Sequence, residues 1–279
     1  MKLRLWKTRR RKTDRTPGKK DPRAAETARP AQKKPQSALP IAAALFLAAM
    51  TCAVISAAGR SALIAANGGA QIAAPGEKVA YLTFDDGPSC NTARILDVLR
   101  EKGVKATFFV TAEQPDHTDW IKTIAEEGHA VGAHCYSHDT GRLYASLEAF
   151  SADLSKICAL IEEQCGAPPA LYRFPGGSRT TLAPAWLREK LVEEVEGRGL
   201  TYFDWNAVSG DDTRTVYPAE TLVENVLRDA NGADVIVPLF HDFPVAKTTA
   251  EAAGLLIDRL RGAGYCFDVL TPEVEMRFP

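Results

Sequence analysis

Residues 79–88 read Val-Ala-Tyr-Leu-Thr-Phe-Asp-Asp-Gly-Pro. The apolar opening predicts a strand over Val79–Phe84, and the Asp-Asp-Gly-Pro after it predicts a turn. A helical pattern follows over Thr92–Lys102, with Gly103 at its stop. The same unit then recurs down the chain. Further strands are predicted over Ala106–Val110, Ala130–Ala133, Ala170–Phe174, Leu200–Trp205, Val235–Phe240 and Cys266–Val269. Further helices are predicted over Thr118–Glu127, Ser146–Gln164, Pro184–Val195, Pro218–Ala230 and Thr248–Ala263. Pro184 and Pro218 suit first helical turns, and Gly128, Gly166, Gly199 and Gly264 lie near helix stops. Seven short strands alternating with six helices over about 200 residues is the signature of a parallel α/β sheet. An open doubly wound sheet and a closed barrel both fit. No GxGxxG follows the first strand, so a dinucleotide fold has no support. Either architecture gathers active-site groups at the carboxyl ends of the strands.

Unusual polar residues fall at those ends. The first strand runs into Asp85-Asp86, the third into His134-Cys135-Tyr136-Ser137-His138, and the fourth into Arg173-Phe174-Pro175-Gly176-Gly177. Ser209-Gly210-Asp211-Asp212 follows the fifth, and Leu239-Phe240-His241-Asp242 ends the sixth. Each has an ordinary reading when taken alone. Asp85–Pro88 has turn composition, and His134 and His138 could be surface histidines. Arg173 could form a plain ion pair, and His241 could sit satisfied in a core. Together they say more. Adjacent carboxylates repel, and a cation would relieve that cost. Two imidazoles with three residues between them plus one carboxylate supply the ligand count of a catalytic zinc site with open positions. His117 and His129 have no such company and read as structural.

The net charge of −1 is the sum of two opposite blocks. Residues 1–37 hold 14 Lys/Arg against three acids, a net of +11, and the remainder holds 20 against 32, a net of −12. Between the blocks, Leu39–Ala58 is almost wholly apolar. About 20 residues at 1.5 Å each span a hydrocarbon core of roughly 30 Å. The basic flank puts the N-terminus in the cytoplasm and the rest outside. The segments are thus a basic cytoplasmic tail (1–37), a transmembrane signal-anchor (38–59), a Gly/Ala-rich linker (60–76) and a folded domain (77–279). Length favours a retained anchor, while Ser56-Ala57-Ala58 allows a cleaved signal peptide and secretion. The basic tail has one aromatic, Trp6, and no periodicity. It reads as a tail drawn to anionic lipid and not as a nucleic-acid binder. Six cysteines without a CxxC make no disulfide framework, though a Cys90–Cys135 bridge is conceivable. The sequence carries no signal of oligomeric state.

These residues resemble a known family, the polysaccharide deacetylases of the NodB-homology type (carbohydrate esterase family 4). The resemblance covers roughly Lys78–Thr271, and TFDDGP (Thr83–Pro88) matches the family motif letter for letter. It is strongest to bacterial members that modify peptidoglycan. It implies a distorted (β/α)7 TIM-like barrel, preceded here by one N-terminal transmembrane helix. It implies a hydrolase that removes N-acetyl groups from N-acetylhexosamines of cell-wall polysaccharide. In that family pattern Asp86, His134 and His138 hold a divalent metal, with zinc expected and cobalt, nickel or iron suited to the same ligands. Asp85 is the general base, oriented by Arg173, and His241 is the general acid, tuned by Asp211. The backbone of Gly176, after Pro175, helps bind the oxyanion, and Leu239 belongs to the Leu-x-His motif.

Two departures stand out. The family often carries an aromatic after the Pro of the third motif, where this chain has Gly176-Gly177. It usually carries a Trp after the Asp of the fourth, where this chain has Asp212. Trp205 is the candidate substitute wall for substrate. Chitin oligomers, poly-N-acetylglucosamine and acetylated xylan are alternative substrates. A non-catalytic wall-binding module is the alternative of another class, and it would need neither base nor acid.

Overall fold

A computed structural model describes residues 77–274. The basic tail, the apolar run and the linker lie outside the described residues. Among the described residues, no helix is long and apolar enough to cross a membrane. The elements follow one another as β1 (Val79–Ala80), β2 (Thr83–Asp85), α1 (Thr92–Lys102), β3 (Thr107–Val110), α2 (Trp120–Glu126) and β4 (Ala130–Ala133). Next come α3 (Thr140–Leu143), α4 (Leu147–Cys165), β5 (Leu171–Tyr172), α5 (Ala185–Gly197), β6 (Thr201–Tyr202) and β7 (Ala207–Val208). The chain ends with α6 (Ala219–Ala230), β8 (Val235–Ile236), β9 (Pro238–His241), α7 (Thr249–Gly262) and β10 (Cys266–Phe267).

Every strand pairing is parallel. The main sheet has the order β6-β5-β4-β3-β2-β9-β7, and a small sheet has the order β10-β1-β8. This sheet must curl. β6 and β7 occupy its opposite edges, yet only residues 203–206 join them. Six strand spacings in a flat sheet would cover about 29 Å. The five chain steps from Tyr202 to Ala207 reach at most about 18 Å. The curl leaves an interior packed with Tyr81, Phe109, Leu171, Phe203 and Val237, among others. A larger cluster, including Phe84, Phe108 and Phe240, packs the outer face against the helices. On β2 this gives Phe84 to the helix side and Thr83 and Asp85 to the inside, as strand alternation requires. Gly132 on β4 makes room for the interior, since a Cβ there would lie 2.6 Å from the Phe109 ring.

The structure corrects several expectations. The strand expected over Val79–Phe84 is two strands, β1 and β2, because the chain changes partners between them. The strand expected over Val235–Phe240 likewise splits into β8 and β9. Asn206 replaces the missing pairing there: its side-chain amide donates to Val235 O, and its Oδ1 accepts from Val237 N, both at 2.8 Å. The strand expected over Leu200–Trp205 shrinks to β6, and β7 was not foreseen. Pro184 and Pro218 are N-caps and stand just before the first turn. Gly103 and Gly166 cap α1 and α4 in the left-handed conformation, as expected. Cys90 is exposed and Cys135 buried, and both are free thiols, so no bridge joins them.

Candidate active site

Strand register brings the polar residues together. Asp85 on β2 is paired with His241 on β9. Ala133 on β4 is paired with Tyr172 on β5, so His134 and Arg173 leave the rim side by side. Arg173 is fully buried and fills the interior beneath the rim. One guanidinium nitrogen donates to Asp85 Oδ1 at 2.9 Å and to Thr83 Oγ1 at 2.6 Å. The other two donate to the Phe203 and Asp204 carbonyls at 3.0 Å. Its Cζ lies 4.3 Å from the centroid of the Phe109 ring. Burial lowers the Arg173 pKa, and the Asp85 charge opposes that shift. Asp85 therefore sits buried with one oxygen fixed.

Asp86 points elsewhere. Its φ of +72° is the left-handed conformation, and its carboxylate meets two imidazoles instead of Arg173. Its Oδ1 lies 3.1 Å from His138 Nε2 and 3.4 Å from His134 Nε2. That buried oxygen accepts no hydrogen bond from a protein donor. Nδ1 of His134 contacts Arg173 O at 2.7 Å. A carbonyl only accepts, so Nδ1 carries a proton, and Nε2 is the ring atom that faces Asp86. A buried carboxylate oxygen between two imidazole nitrogens, with no hydrogen bond of its own, suits a cation among the three. The three ligand atoms lie within 4.8 Å of one another, so they can share one ion. This donor set fits a divalent metal. Burial would raise the Asp86 pKa, but the two histidines outweigh it and hold the carboxyl well below its ordinary value. Asp86 in turn raises the His138 pKa.

His241 stands on the other flank. Its Nδ1 is 2.7 Å from Asp211 Oδ1, and its backbone N–H donates to Asp211 Oδ2 at 2.9 Å. Ser209 and Thr249 hydroxyls also donate to that carboxylate, at 2.9 and 2.6 Å. Burial alone would lower the His241 pKa, but Asp211 reverses this and pushes it up to about 9. Leu239 shares the inward face with His241 and is buried without joining either core cluster. On the third-motif loop, Tyr144 OH donates to Pro175 O at 2.9 Å. Gly176 is exposed at φ +77°, and its N–H meets no acceptor among the described residues. Trp205 is half-buried beside Arg173, and its ring lies 3.3 Å from where a Gly177 Cβ would stand. It thus backs the Arg173 side of the site. His129 keeps apart, with Nδ1 accepting from Ala106 N and its pKa lowered to about 4 by burial.

The comparisons with known proteins agree with this geometry. The sequence profile of the family described as "Polysaccharide deacetylase" matches residues 73–193. A peptidoglycan-N-acetylglucosamine deacetylase of Bacillus cereus is 34% identical over 201 residues, covering 70% of each chain. The catalytic domain of a peptidoglycan N-acetylglucosamine deacetylase from Eubacterium rectale is 38% identical, with a TM-score of 0.69. That match covers 74% of this chain and 94% of the other. A polysaccharide deacetylase from Bacillus cereus is 34% identical with a TM-score of 0.63, covering 72% and 96%. The chain belongs to the polysaccharide deacetylase family.

Polysaccharide deacetylases are hydrolytic enzymes, and this chain gathers Asp85, Asp86, His134, His138 and His241 at one rim. Other residues of that rim escaped sequence reasoning. Thr83 Oγ1 accepts from Arg173 and donates to Pro238 O. Asp153 on α4 accepts from Tyr136 N at 2.7 Å and braces the loop that carries both histidines. Asp204 accepts from Ser178 N and Oγ, anchoring the third-motif loop. Asp242 is fully buried and accepts from the Ser89 and Thr92 hydroxyls, both at 2.6 Å. The Asp204–Ser178 and Asp153–Tyr136 pairs had no sequence signal. Asp242 was visible beside His241, but its partners lie about 150 residues away.

Proposed function

We propose that this chain removes N-acetyl groups from N-acetylhexosamine residues of cell-wall polysaccharide, with peptidoglycan as the substrate. The observation that carries this is the placement of the two neighbouring carboxylates. Asp86 joins the histidine pair, while Asp85 stays off that pair on Arg173. Asp86, His134 and His138 would hold the divalent cation, with zinc expected and cobalt, nickel or iron fitting the same donors. That ion would supply a polarised amide carbonyl and a more acidic water.

The chain's own residues do the rest. Asp85 accepts the proton of the attacking water, and Arg173 keeps its carboxylate oriented. The Gly176 N–H donates to the oxygen on which negative charge develops. His241 delivers a proton to the departing amine and starts in the charged form because of Asp211. The buried Leu239 lines the site next to His241. The relatives named for peptidoglycan N-acetylglucosamine support the substrate class. We take the curled sheet as the distorted (β/α)7 barrel of this family. We also propose that residues 38–59 anchor the chain in the membrane, with 1–37 in the cytoplasm and the catalytic domain outside on the 60–76 linker. The charge step and the apolar length support this topology.

The test is acetate release from peptidoglycan by the purified full chain, with and without chelator. Chelator-sensitive release is expected. Failure to release acetate from peptidoglycan and from every other N-acetylated glycan would overturn the reading.

A further inference from the structure

Among the described residues, the exposed large apolar side chains are Tyr136, Leu182, Trp186, Val216, Tyr217 and Val245. All six lie on segments that follow the carboxyl ends of strands, after β4, β5, β7 and β9. That is the rim that holds the metal ligands. Leu182 and Trp186 are the most exposed of them, at 54% and 63%. Leaving such side chains in water forgoes their burial, so a surface that concentrates them around a site suits a ligand.

Leu182 has a defined place. Gly176 has no side chain, and a Cβ there would lie 3.2 Å from Leu182 Cδ1. Leu182 therefore covers the ground beside the free Gly176 N–H. The loop that carries it is fixed in advance. Thr180 Oγ1 accepts from Leu182 N, and Thr180 O accepts from Arg188, both at 3.2 Å. Trp186 follows four residues later, in the first turn of α5. A pyranose ring offers a face of C–H groups and a rim of hydroxyls. An apolar side chain and an indole next to an open N–H donor match that pattern.

We propose that Leu182 and Trp186 form the wall that holds the sugar adjoining the one that loses its acetyl group. This rests on the deacetylase reading above and makes the two residues determinants of chain-length preference. They touch the neighbouring ring and not the reacting amide, so their loss raises KM and spares kcat.

The experiment uses the full chain, N-acetylglucosamine itself and its oligomers of two to six units. Trp186→Ala and Leu182→Ser, both at exposed positions, are compared with wild type for kcat and KM. The expected result is a rise in the hexamer KM of about tenfold, kcat within about twofold, and an unchanged monomer. An unchanged hexamer KM in both variants overturns the wall, as does an equal rise for monomer and hexamer. A parallel titration follows tryptophan fluorescence with the hexamer, and its response is expected to vanish in Trp186→Ala. If wild type releases no acetate, the deacetylase reading fails by itself, and the titration alone decides the wall. A response lost in Trp186→Ala then upholds it, and no response in wild type, or one unchanged in Trp186→Ala, overturns it.

Discussion

Asp211 accepts from the His241 ring, the His241 backbone and the hydroxyls of Ser209 and Thr249. Its charge is what raises His241 against the pull of burial. A general acid works only while protonated, so activity should persist on the acid side of the His241 pKa and fall as pH rises through it. Asp211→Asn keeps the shape and removes the charge, leaving burial to lower the pKa. The alkaline limb of kcat/KM should then move to lower pH by about one unit or more. A pH–rate profile of the variant checks this, and an unmoved limb would remove Asp211 from the role. Asp85→Asn tests the other flank. Asparagine still offers an oxygen to Arg173, so the interior stays satisfied, but it cannot take a proton. Turnover should fall by about 10²–10⁴-fold while cation affinity, read by calorimetry, stays near wild type. An active Asp85→Asn enzyme would refute the base assignment.

The segment between β2 and α1 shows how elements hold these residues in place. Asp242, just past β9, fixes the start of α1 through Ser89 and Thr92, and its N–H donates to Asp85 O. Gly87 lies against it, and a Cβ there would stand 2.5 Å from Asp242 Oδ2. Gly87→Ala should therefore displace the carboxylate and cost about 1–3 kcal/mol. In an Asp242→Ala background the carboxylate clash is gone and only the Cβ contact at 3.0 Å remains, so the two losses should fall short of additive. Urea unfolding of the four chains measures the coupling, and additive losses would sink the argument. The same segment marks what was legible beforehand. TFDDGP announced itself, and helices such as α1 and α4 were readable because apolar spacing and a terminal glycine are local signals. The division of β1 from β2 was not readable, because the chain changes its distant partners there. Nor was β7, which owes its place to pairing with β9. His134 and His138 could be paired from spacing alone. The partnership of Asp211 with His241 came only from the family resemblance, since thirty residues separate them.

On the scale of the whole molecule, the cation site joins parts of the chain that are otherwise far apart. Asp86 comes from the end of β2, both imidazoles come from the segment after β4, and His134 also contacts the Arg173 carbonyl past β5. An ion held by Asp86, His134 and His138 therefore ties two strand ends of the curled sheet to each other. An unfolded chain separates Asp86 from His138 by 52 residues and has no preformed site. The cation should thus bind the folded form almost exclusively and stabilise it by mass action. At a free concentration of 100 times Kd the gain is about 2.7 kcal/mol. For a domain of this size that corresponds to roughly 5–10 °C in Tm. Chelator should lower the Tm of the full chain by that amount, and added zinc should restore it. A His134→Ala/His138→Ala chain should be indifferent to both treatments, because Asp86 alone cannot hold the ion. Calorimetric melts of the two proteins, with chelator and with zinc, decide the matter without any turnover being measured. A wild-type Tm that ignores chelator, or a double variant that responds as wild type does, would place the ion elsewhere.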